Sequence, residues 1–445
     1  MKYSFIEACK DKIQGIPPKK PRAKHSLSRM NFSSVLDTFK GYKPDVWPSY
    51  LKSPQTFKSA DSMNTVLVKE YNYLNKFNCL ADKCEDPCCG QPFGKNIEKQ
   101  AYKKYQERAP ELLEYVELHE ERDLYLIKPG NNGCSLWDSS GLCKIHSSYG
   151  TEFLSDTCHF YPRVHTQIGE NIFVNAKVSC PEVSRIILTE EDPFSLVETE
   201  TDRIPVDVLG QSVDPERERR ALLTHEIFVT EAQRDDISLE DAMLRVLLVA
   251  QKLDGVDKFD WCDHAQTIFN ELDVTNYRNE AASFNVNTSF DLMRYFLQRW
   301  SKEALTPRLQ QLMETIETAL AEENAEERLN SYYAQEDVKR NIDHALKRYF
   351  VYQIIRRTAP YSQEKGLAGV FENSVPAIVS VLVFRTALLA CLKDEEGVPG
   401  VAQIQPILFL LTQKIEHAID AFGPELKQKD LMSILSMSRA IYSVH

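Results

Sequence analysis

The chain has 445 residues, 43% hydrophobic and 27% charged, an ordinary balance for a globular protein long enough for two or three domains. Its net charge of −12 argues against a general nucleic-acid binder, because neutralising phosphates requires a basic surface. Only 16 residues are glycine, which argues against glycine-rich phosphate-binding loops.

The first 44 residues are locally basic and show no periodicity. They contain IPPKKPRAKHSLSR, a run typical of a flexible arm or linker. The start of the chain lacks the apolar segment of a secretory signal. We therefore expect a cytoplasmic protein, in which thiols stay reduced and a disulfide framework does not form.

Local patterns predict both helices and strands up to residue 200. Residues 96–123 have a helical pattern broken near Pro110, and the alternation of DLYLIK, 123–128, predicts a short strand. The segment 163–180 predicts a hairpin that turns at Gly169-Glu170-Asn171. After Cys180, Pro181 suits the first position of a helix.

Beyond residue 200 the pattern is helical. Ser238 and Asp241 form a capping pattern for a helix that ends at Gly255. The most apolar stretch, 375–392, is short for a membrane span and carries Arg385 in its middle, so we expect a buried core helix and no membrane partner. Further amphipathic helices are predicted within 291–305, 336–358, 404–422 and 430–444.

The distribution of cysteines suggests a domain organisation. Eight of the eleven lie between residues 45 and 200, whereas Cys262 and Cys391 are embedded in helical patterns. This predicts an N-terminal arm (1–44), a cysteine-rich domain (45–200) and a helical domain (201–445). The expected fold class is mainly α, with a small α+β metal-binding domain before an all-helical domain.

The spacing of the cysteines favours metal binding over disulfides. No Cys-x2-Cys pair, the usual element of structural zinc sites, occurs in the chain. A four-iron cluster accepts looser spacings, so iron–sulfur is favoured and zinc is the alternative. Eight thiols exceed the four ligands of one cluster, so either two centres exist or some thiols are ordinary buried residues. The candidate metal ligands are Cys79, Cys84, Cys88, Cys89, Cys134, Cys143, Cys158 and Cys180.

Some neighbouring residues bear on this interpretation. Cys180 stands at a predicted helix start, where the positive end of the dipole favours the thiolate. His146 and His159 lie close to cysteines in the sequence, but a polar or core role is favoured for both. The lone cysteines are expected to be small buried residues: Cys9, Cys262 and Cys391.

Three segments, in this order, resemble the flagellin lysine N-methylase (FliB-like) family: FNCLADKCEDPCC, CSLWDSSGLCKIHSSYGTEFLSDTCHFYPR and VSCPEVSRIIL. The resemblance covers residues 70–190. It rests on the ordered cysteines, the Leu-Ser-Asp-x-Cys-x-x-Tyr-Pro-Arg string and the Ser-Cys-Pro-Glu ending. A broader group of zinc- or iron-chelating cysteine proteins shares the early cysteine pattern without the Ser-Cys-Pro-Glu part.

The resemblance implies an enzyme that transfers a methyl group from S-adenosylmethionine to lysine ε-amines of flagellin. It also implies a 4Fe–4S cluster, with the eight cysteines named above as ligand candidates. Tyr161 and Arg163 are weak candidates for pocket residues near the cluster; the alternative is that Tyr161 packs and Arg163 pairs with a carboxylate.

Two other functions compete with the methylase. One is a non-catalytic metal-chelating or metal-storage protein, which would hold metal but not bind S-adenosylmethionine. The other is a zinc-stapled scaffold whose helical half binds a partner, which would be colourless and would unfold with chelators. The match through Ser-Cys-Pro-Glu favours the methylase.

Overall fold

The computed structural model describes residues 65–91, 95–120, 124–130, 133–205, 209–211, 215–257, 260–282, 288–302, 305–357, 370–417 and 434–442. Contacts divide the chain into two compact units, Met1–Met63 and Asn64–His445. The arm predicted for 1–44 and the lone Cys9 lie outside the described residues.

Short strands occupy the first part of the described chain, and the longer ones are rich in β-branched residues, which favour strands. In chain order they are β1 Val66–Tyr71, β2 Lys95–Ile97, β3 Val116–His119, β4 Leu124–Ile127, β5 Pro129–Gly130, β6 Gly133–Cys134, β7 Arg163–Ile168, β8 Asn171–Ala176, β9 Leu196–Thr201 and β10 Leu209–Gln211.

The larger sheet has the strand order β10-β7-β8-β1-β9. The predicted hairpin is confirmed, since β7 and β8 pair antiparallel from Arg163 with Ala176 to Ile168 with Asn171. Gly169 turns the hairpin with a φ of +58°, a conformation that side chains disfavour. Strands β1, β9 and β10 were not predicted, and the last lies beyond the expected domain boundary at residue 200.

A second sheet, β2-β4-β3, packs beside the helix Lys99–Arg108. The predicted strand within 123–128 is confirmed as β4. The prediction that the helix resumes after Pro110 is wrong: Pro110–Tyr115 is a 3-10 helix and Val116–His119 is a strand. The reason is tertiary, because Val116 to His119 pair with β4 along their whole length.

Short helices connect these strands. The 3-10 helices are Asn72–Lys76, Ala81–Lys83, Cys88–Gly90, Pro110–Tyr115 and Thr151–Phe153, and the α-helices are Lys99–Arg108, Lys144–Tyr149, Asp156–Phe160 and Pro181–Thr189. Pro181 occupies the first turn of its helix, as predicted.

Helices make up nearly all of the described chain after β10. They are Pro215–Gln233, Leu239–Lys252, Trp261–Glu271, Thr275–Ala282, Thr288–Trp300, Pro307–Ala321, Ala325–Tyr333, Glu336–Arg357, Val370–Leu392, Val401–His417 and Ile434–Tyr442. The predicted cap is confirmed, because the Ser238 side chain accepts a hydrogen bond from the N–H of Asp241 at 3.1 Å. The mainly α fold class is confirmed.

The helix Val370–Leu392 runs through the core of this helical part. Of the described helices it is the one long and apolar enough to cross a membrane by length and composition, and its side chains are almost entirely buried against other helices. The same hydrophobic cluster extends from Val68 in β1 to Tyr442 in the last helix. The domain boundary at residue 200 stays a prediction.

Candidate metal centre

Four separate segments carry the eight candidate cysteines, and four of these residues, Cys84, Cys88, Cys143 and Cys180, stand at the ends of short helices. Two of them, Cys143 and Cys180, directly precede the helices Lys144–Tyr149 and Pro181–Thr189. None of the eight forms a disulfide; Cys180 is buried, whereas Cys79 and Cys88 are exposed. The segments are the loop 79–89, β6 with the following turn to residue 143, the helix Asp156–Phe160, and the turn at 177–180.

A close backbone approach brings two of these segments together. Gly133 has a φ of +128°, and a Cβ built on it would lie 2.5 Å from the carbonyl oxygen of Cys89 and 2.7 Å from the Cα of Gly90. Real Cβ atoms do not approach that closely, so only glycine fits here. As a result Cys134, the next residue, lies beside the turn that carries Cys88 and Cys89.

Cys89, Cys134, Cys143 and Cys158 form what we call the first thiol group, because Cys143 lies close enough to raise the pKa of each of the other three. Burial, together with the Cys88, Cys143 and Cys134 thiols, raises the pKa of Cys158 to about 12. The pKa of Cys89 is raised first by its hydrogen bond with Cys88, then by burial and by Cys143 and Cys158.

Cys79, Cys84, Cys88 and Cys180 form the second thiol group. Burial raises the pKa of Cys84 to about 11 and that of Cys180 to about 12. Cys84 is coupled to Cys88 and Cys79, and Cys180 is coupled to Cys84 and Cys88. Cys88 lies between the two groups, and its pKa is lowered to about 7, chiefly by the hydrogen bond from Cys89.

Backbone N–H groups point at several of these sulfurs. Each such hydrogen bond lowers the pKa of the thiol that accepts it, because it stabilises the thiolate. Hydrogen bonds to sulfur of this kind also tune the properties of metal-bound thiolates. The pairs are Cys84 with Asp86, Cys134 with Leu136, and Cys180 with Glu182 and Val183.

The chemistry of this donor set fits a thiolate-ligated metal. Buried thiols with raised pKa values stay protonated and inert unless a cation is placed among them. Among the described residues, however, no group of three or more Cys, His, Asp or Glu side chains is already arranged to hold a metal ion. Metal binding would therefore have to draw the sulfurs together, and the metal role of the eight cysteines stays a prediction.

The helix Val401–His417 braces the cysteine-bearing loops. Its Glu416 is buried, and the carboxylate accepts hydrogen bonds from the N–H of Ser179 at 3.0 Å and of Val178 at 3.4 Å, and from the Tyr352 hydroxyl. These two backbone groups belong to the turn that ends at Cys180. Glu416 thus fixes the position of a candidate ligand.

The same helix also contacts the loop of the second thiol group. Gln405 Nε2 donates to Glu85 Oε1 at 3.0 Å and to the carbonyl oxygen of Pro181 at 2.9 Å. Gln413 Nε2 donates to Asp86 Oδ2 at 2.7 Å. One helix therefore holds both the Cys84–Cys88 loop and the start of the Cys180 helix.

The two candidate pocket residues lie in different surroundings. The Tyr161 hydroxyl is 3.3 Å from Ser179 Oγ, and Tyr161 is electrostatically coupled to Cys180 and Cys88, so it does lie beside the thiols. Burial raises its pKa well above the usual value. Arg163 lies over the Phe77 ring at 5.1 Å and, within the described residues, has no carboxylate partner.

Arg163 lines a cleft of about 260 Å³ on one face of the larger sheet, which we call the sheet cleft. Glu70, His165 and Thr199 line it from the strands, and His159 and Phe160 from the helix Asp156–Phe160. His159 therefore faces this cleft, and burial is the main cause that lowers its pKa. His146, by contrast, is exposed to solvent. The structure brings neither histidine into the thiol groups.

Sequence reasoning missed Glu70, His165, Tyr352 and Glu416. For Glu416 a signal did exist, since it is a carboxylate next to the buried face of an otherwise apolar helix. Glu70 and His165 gave no signal, because β1 and β7 become near neighbours only through β8.

The fold and the site together define a class of protein in which a cysteine-rich α+β region is held against a helical domain. Comparison with known proteins makes this specific. Residues 226–439 match the family model of the FliB lysine N-methylase C-terminal domain. These residues include the helix Val401–His417 that braces the thiols.

Curated relatives agree with that match. The chain is 25% identical over 148 residues to a lysine-N-methylase of Salmonella typhimurium, which covers 31% of this chain and 36% of that protein. A lysine-N-methylase of Salmonella choleraesuis gives the same identity and coverage. The flagellar biosynthetic protein FliU of Salmonella muenchen is 25% identical over 148 residues, 85% of its length.

The chain thus matches little more than a third of the length of the two curated lysine-N-methylases. No solved structure matches the chain. Residues 226–439 are thus similar to the FliB lysine N-methylase C-terminal domain, and about a third of the chain is similar to the curated relatives.

Proposed function

We propose that this protein is a lysine N-methyltransferase that transfers a methyl group from S-adenosylmethionine to flagellin and holds a 4Fe–4S cluster. The observation that carries the proposal is the brace described above. The helix Val401–His417 belongs to the region that matches a lysine N-methylase domain, and it hydrogen-bonds directly to the loops that carry Cys84, Cys88 and Cys180. These hydrogen bonds support a single site built from the thiols and the matched domain.

The reaction needs a neutral amine. The lone pair of the lysine Nε attacks the sulfonium methyl carbon, the carbon–sulfur bond breaks, and S-adenosylhomocysteine leaves as a proton is lost from the nitrogen. A lysine is protonated in water, but burial lowers its pKa. The surroundings of the second thiol group supply such burial, since Lys177 close to Glu416 already has its pKa lowered by desolvation.

Buried tyrosines surround the same region. The Tyr73 hydroxyl accepts a hydrogen bond from the N–H of Ala176 at 2.8 Å, and Tyr352 donates to Glu416. Tyr161 lies next to Ser179. These rings exclude water, and their hydroxyl groups can orient a polar substrate by hydrogen bonding.

The first thiol group is the better candidate to hold the cluster. Its members come from three segments, and Cys143 influences the pKa of each of the other three, which suits a centre with ligands distant in sequence. A 4Fe–4S cluster held by these four cysteines would leave no iron open to the methyl donor and would staple the loops together. The second thiol group then lies between the cluster and the helical domain.

The function is tested by incubating the full-length protein, purified without oxygen, with flagellin and S-adenosylmethionine. We expect flagellin lysines to gain methyl groups, detected by mass spectrometry, and S-adenosylhomocysteine to accumulate in equal amount. A protein that binds metal but does not bind the donor would instead be a metal-chelating protein and would contradict the proposal.

Iron content tests the assignment of the cluster. Changing Cys89, Cys134, Cys143 and Cys158 one at a time to serine should lower the iron content from about four per chain to below one, because a cluster requires all four ligands. Cys262→Ser and Cys391→Ser are the matched controls and should keep their iron. Iron retained by all four variants would contradict this ligand set, and stoichiometric zinc in the wild-type protein would exclude the cluster.

A further inference from the structure

The sheet cleft offers a ligand three polar groups that lie on one face of the sheet. Glu70 pairs with Val174, and Val174 pairs with His165, so these residues form one row across three strands. Adjacent strands are about 4.8 Å apart, which separates Glu70 and His165 by about 10 Å at the backbone. Arg163 stands two residues before His165 and lines the same cleft.

One side of the cleft can accept a carboxylate. Arg163 has no carboxylate partner among the described residues, and a guanidinium binds carboxylates in bidentate fashion. His165 is 8% exposed, and its Nδ1 is buried without a hydrogen-bond partner in the described part of the chain. Burial and the Arg163 charge lower the pKa of His165 to about 4, so its ring is neutral at pH 7 and has a hydrogen to donate.

The other side of the cleft carries a negative charge. Glu70 accepts a hydrogen bond from Thr199 Oγ1 and lies in the cleft opposite Arg163. The Glu70 carboxylate would repel an anion such as phosphate, and the Arg163 guanidinium would repel a simple cation. A group that carries a carboxylate and an ammonium side by side satisfies both.

The size of the cleft agrees with such a group. At about 260 Å³ it is smaller than the 300–1,000 Å³ typical of sites that enclose a drug-sized ligand. It can hold an amino-acid end, and the rest of a larger molecule would extend out of it. The helix Asp156–Phe160, which lines the cleft with His159 and Phe160, also carries Cys158.

We propose that the sheet cleft binds the α-amino-acid end of the methyl donor, with its carboxylate on Arg163 and His165 and its ammonium on Glu70. This inference rests on the proposed function, since it takes S-adenosylmethionine as the donor. It assigns donor-binding residues in a part of the chain outside the matched region 226–439.

Calorimetric titration of the full-length protein with three probes tests this assignment. S-Adenosylmethionine and S-adenosylhomocysteine carry the amino-acid end, whereas methylthioadenosine lacks it. We expect Arg163→Gln and Glu70→Gln each to weaken binding of the first two probes at least tenfold and to leave methylthioadenosine binding unchanged. Arg340→Gln, at an exposed arginine paired with Asp337, is the control and should bind all three probes as the wild type does.

The outcomes separate the two proposals. If the wild-type protein binds none of the probes, the proposed function and this inference both fail. If it binds S-adenosylhomocysteine and the two variants bind it equally well, the donor lies elsewhere and only this inference fails. A parallel loss of methylthioadenosine binding in the variants also contradicts it, because the cleft would then not be specific for the amino-acid end.

Discussion

Replacing Arg385 with alanine should lower the free energy of unfolding by about 3–5 kcal/mol, because it leaves a buried carboxylate unpaired. Arg385 stands in the apolar helix Val370–Leu392, and its side chain is only 1% exposed. Its Nη1 lies 3.2 Å from Glu240 Oε1, and its Nη2 donates to the carbonyl oxygens of Ala440 and Ile441 at 3.1 and 3.0 Å. Urea denaturation of the two proteins measures the difference.

A double variant distinguishes the unpaired charge from loss of packing. Arg385→Met combined with Glu240→Met removes both charges and keeps the side-chain volume, and such replacements of buried ion pairs are often neutral or stabilising. We expect it to recover at least half of the stability lost by Arg385→Ala. Arg340→Ala, which breaks an exposed pair with Asp337, should cost only about 0–1 kcal/mol. If Arg385→Ala lowers the free energy of unfolding by less than about 1 kcal/mol, other polar groups or water must stabilise the Glu240 carboxylate when Arg385 is absent.

Replacing Glu416 with alanine should cost about 2–4 kcal/mol, since the Ser179 N–H and the Tyr352 hydroxyl would lose a buried acceptor. The effect should reach the candidate metal centre, because Ser179 directly precedes Cys180. We therefore expect the metal-free variant to be alkylated at Cys180 by iodoacetamide at least tenfold faster than the metal-free wild type. Mass spectrometry of the labelled peptides measures this rate.

Glu317 provides a matched control, because it is an exposed glutamate in the middle of the helix Pro307–Ala321, in the same matched domain. Glu317→Ala should change neither the free energy of unfolding by more than about 0.5 kcal/mol nor the labelling of Cys180. If Glu416→Ala lowers stability but leaves Cys180 as protected as before, Glu416 stabilises the helical core without positioning the cysteine turn.

Elements with a local signal were predicted well. Ser238 starts its helix, Pro181 begins the helix after Cys180, and Gly169 turns the β7–β8 hairpin. Asn96, Ile97 and the segment Val116–His119 are helical in their local pattern but pair as strands with β4. Here a non-local contact outweighed local preference.

The candidate site was predicted only in part. The sequence indicated the eight cysteines and the neighbouring Tyr161 and Arg163, since density and spacing are visible along the chain. It could not indicate which thiols become neighbours, or that Glu416 holds the turn before Cys180 from more than two hundred residues away. Contacts between residues so far apart in the chain leave no periodic pattern in the sequence.

By itself, then, the sequence determined the mainly α composition, the buried character of the helix around Arg385 and the family resemblance carried by the cysteines. The tertiary structure decided that β1 lies between β8 and β9, that Glu70 and Arg163 share a cleft, and that the helical domain braces the thiols. The physical reason is that helix caps and turns depend on residues a few positions apart. Sheet order and buried polar contacts depend instead on which distant surfaces pack together.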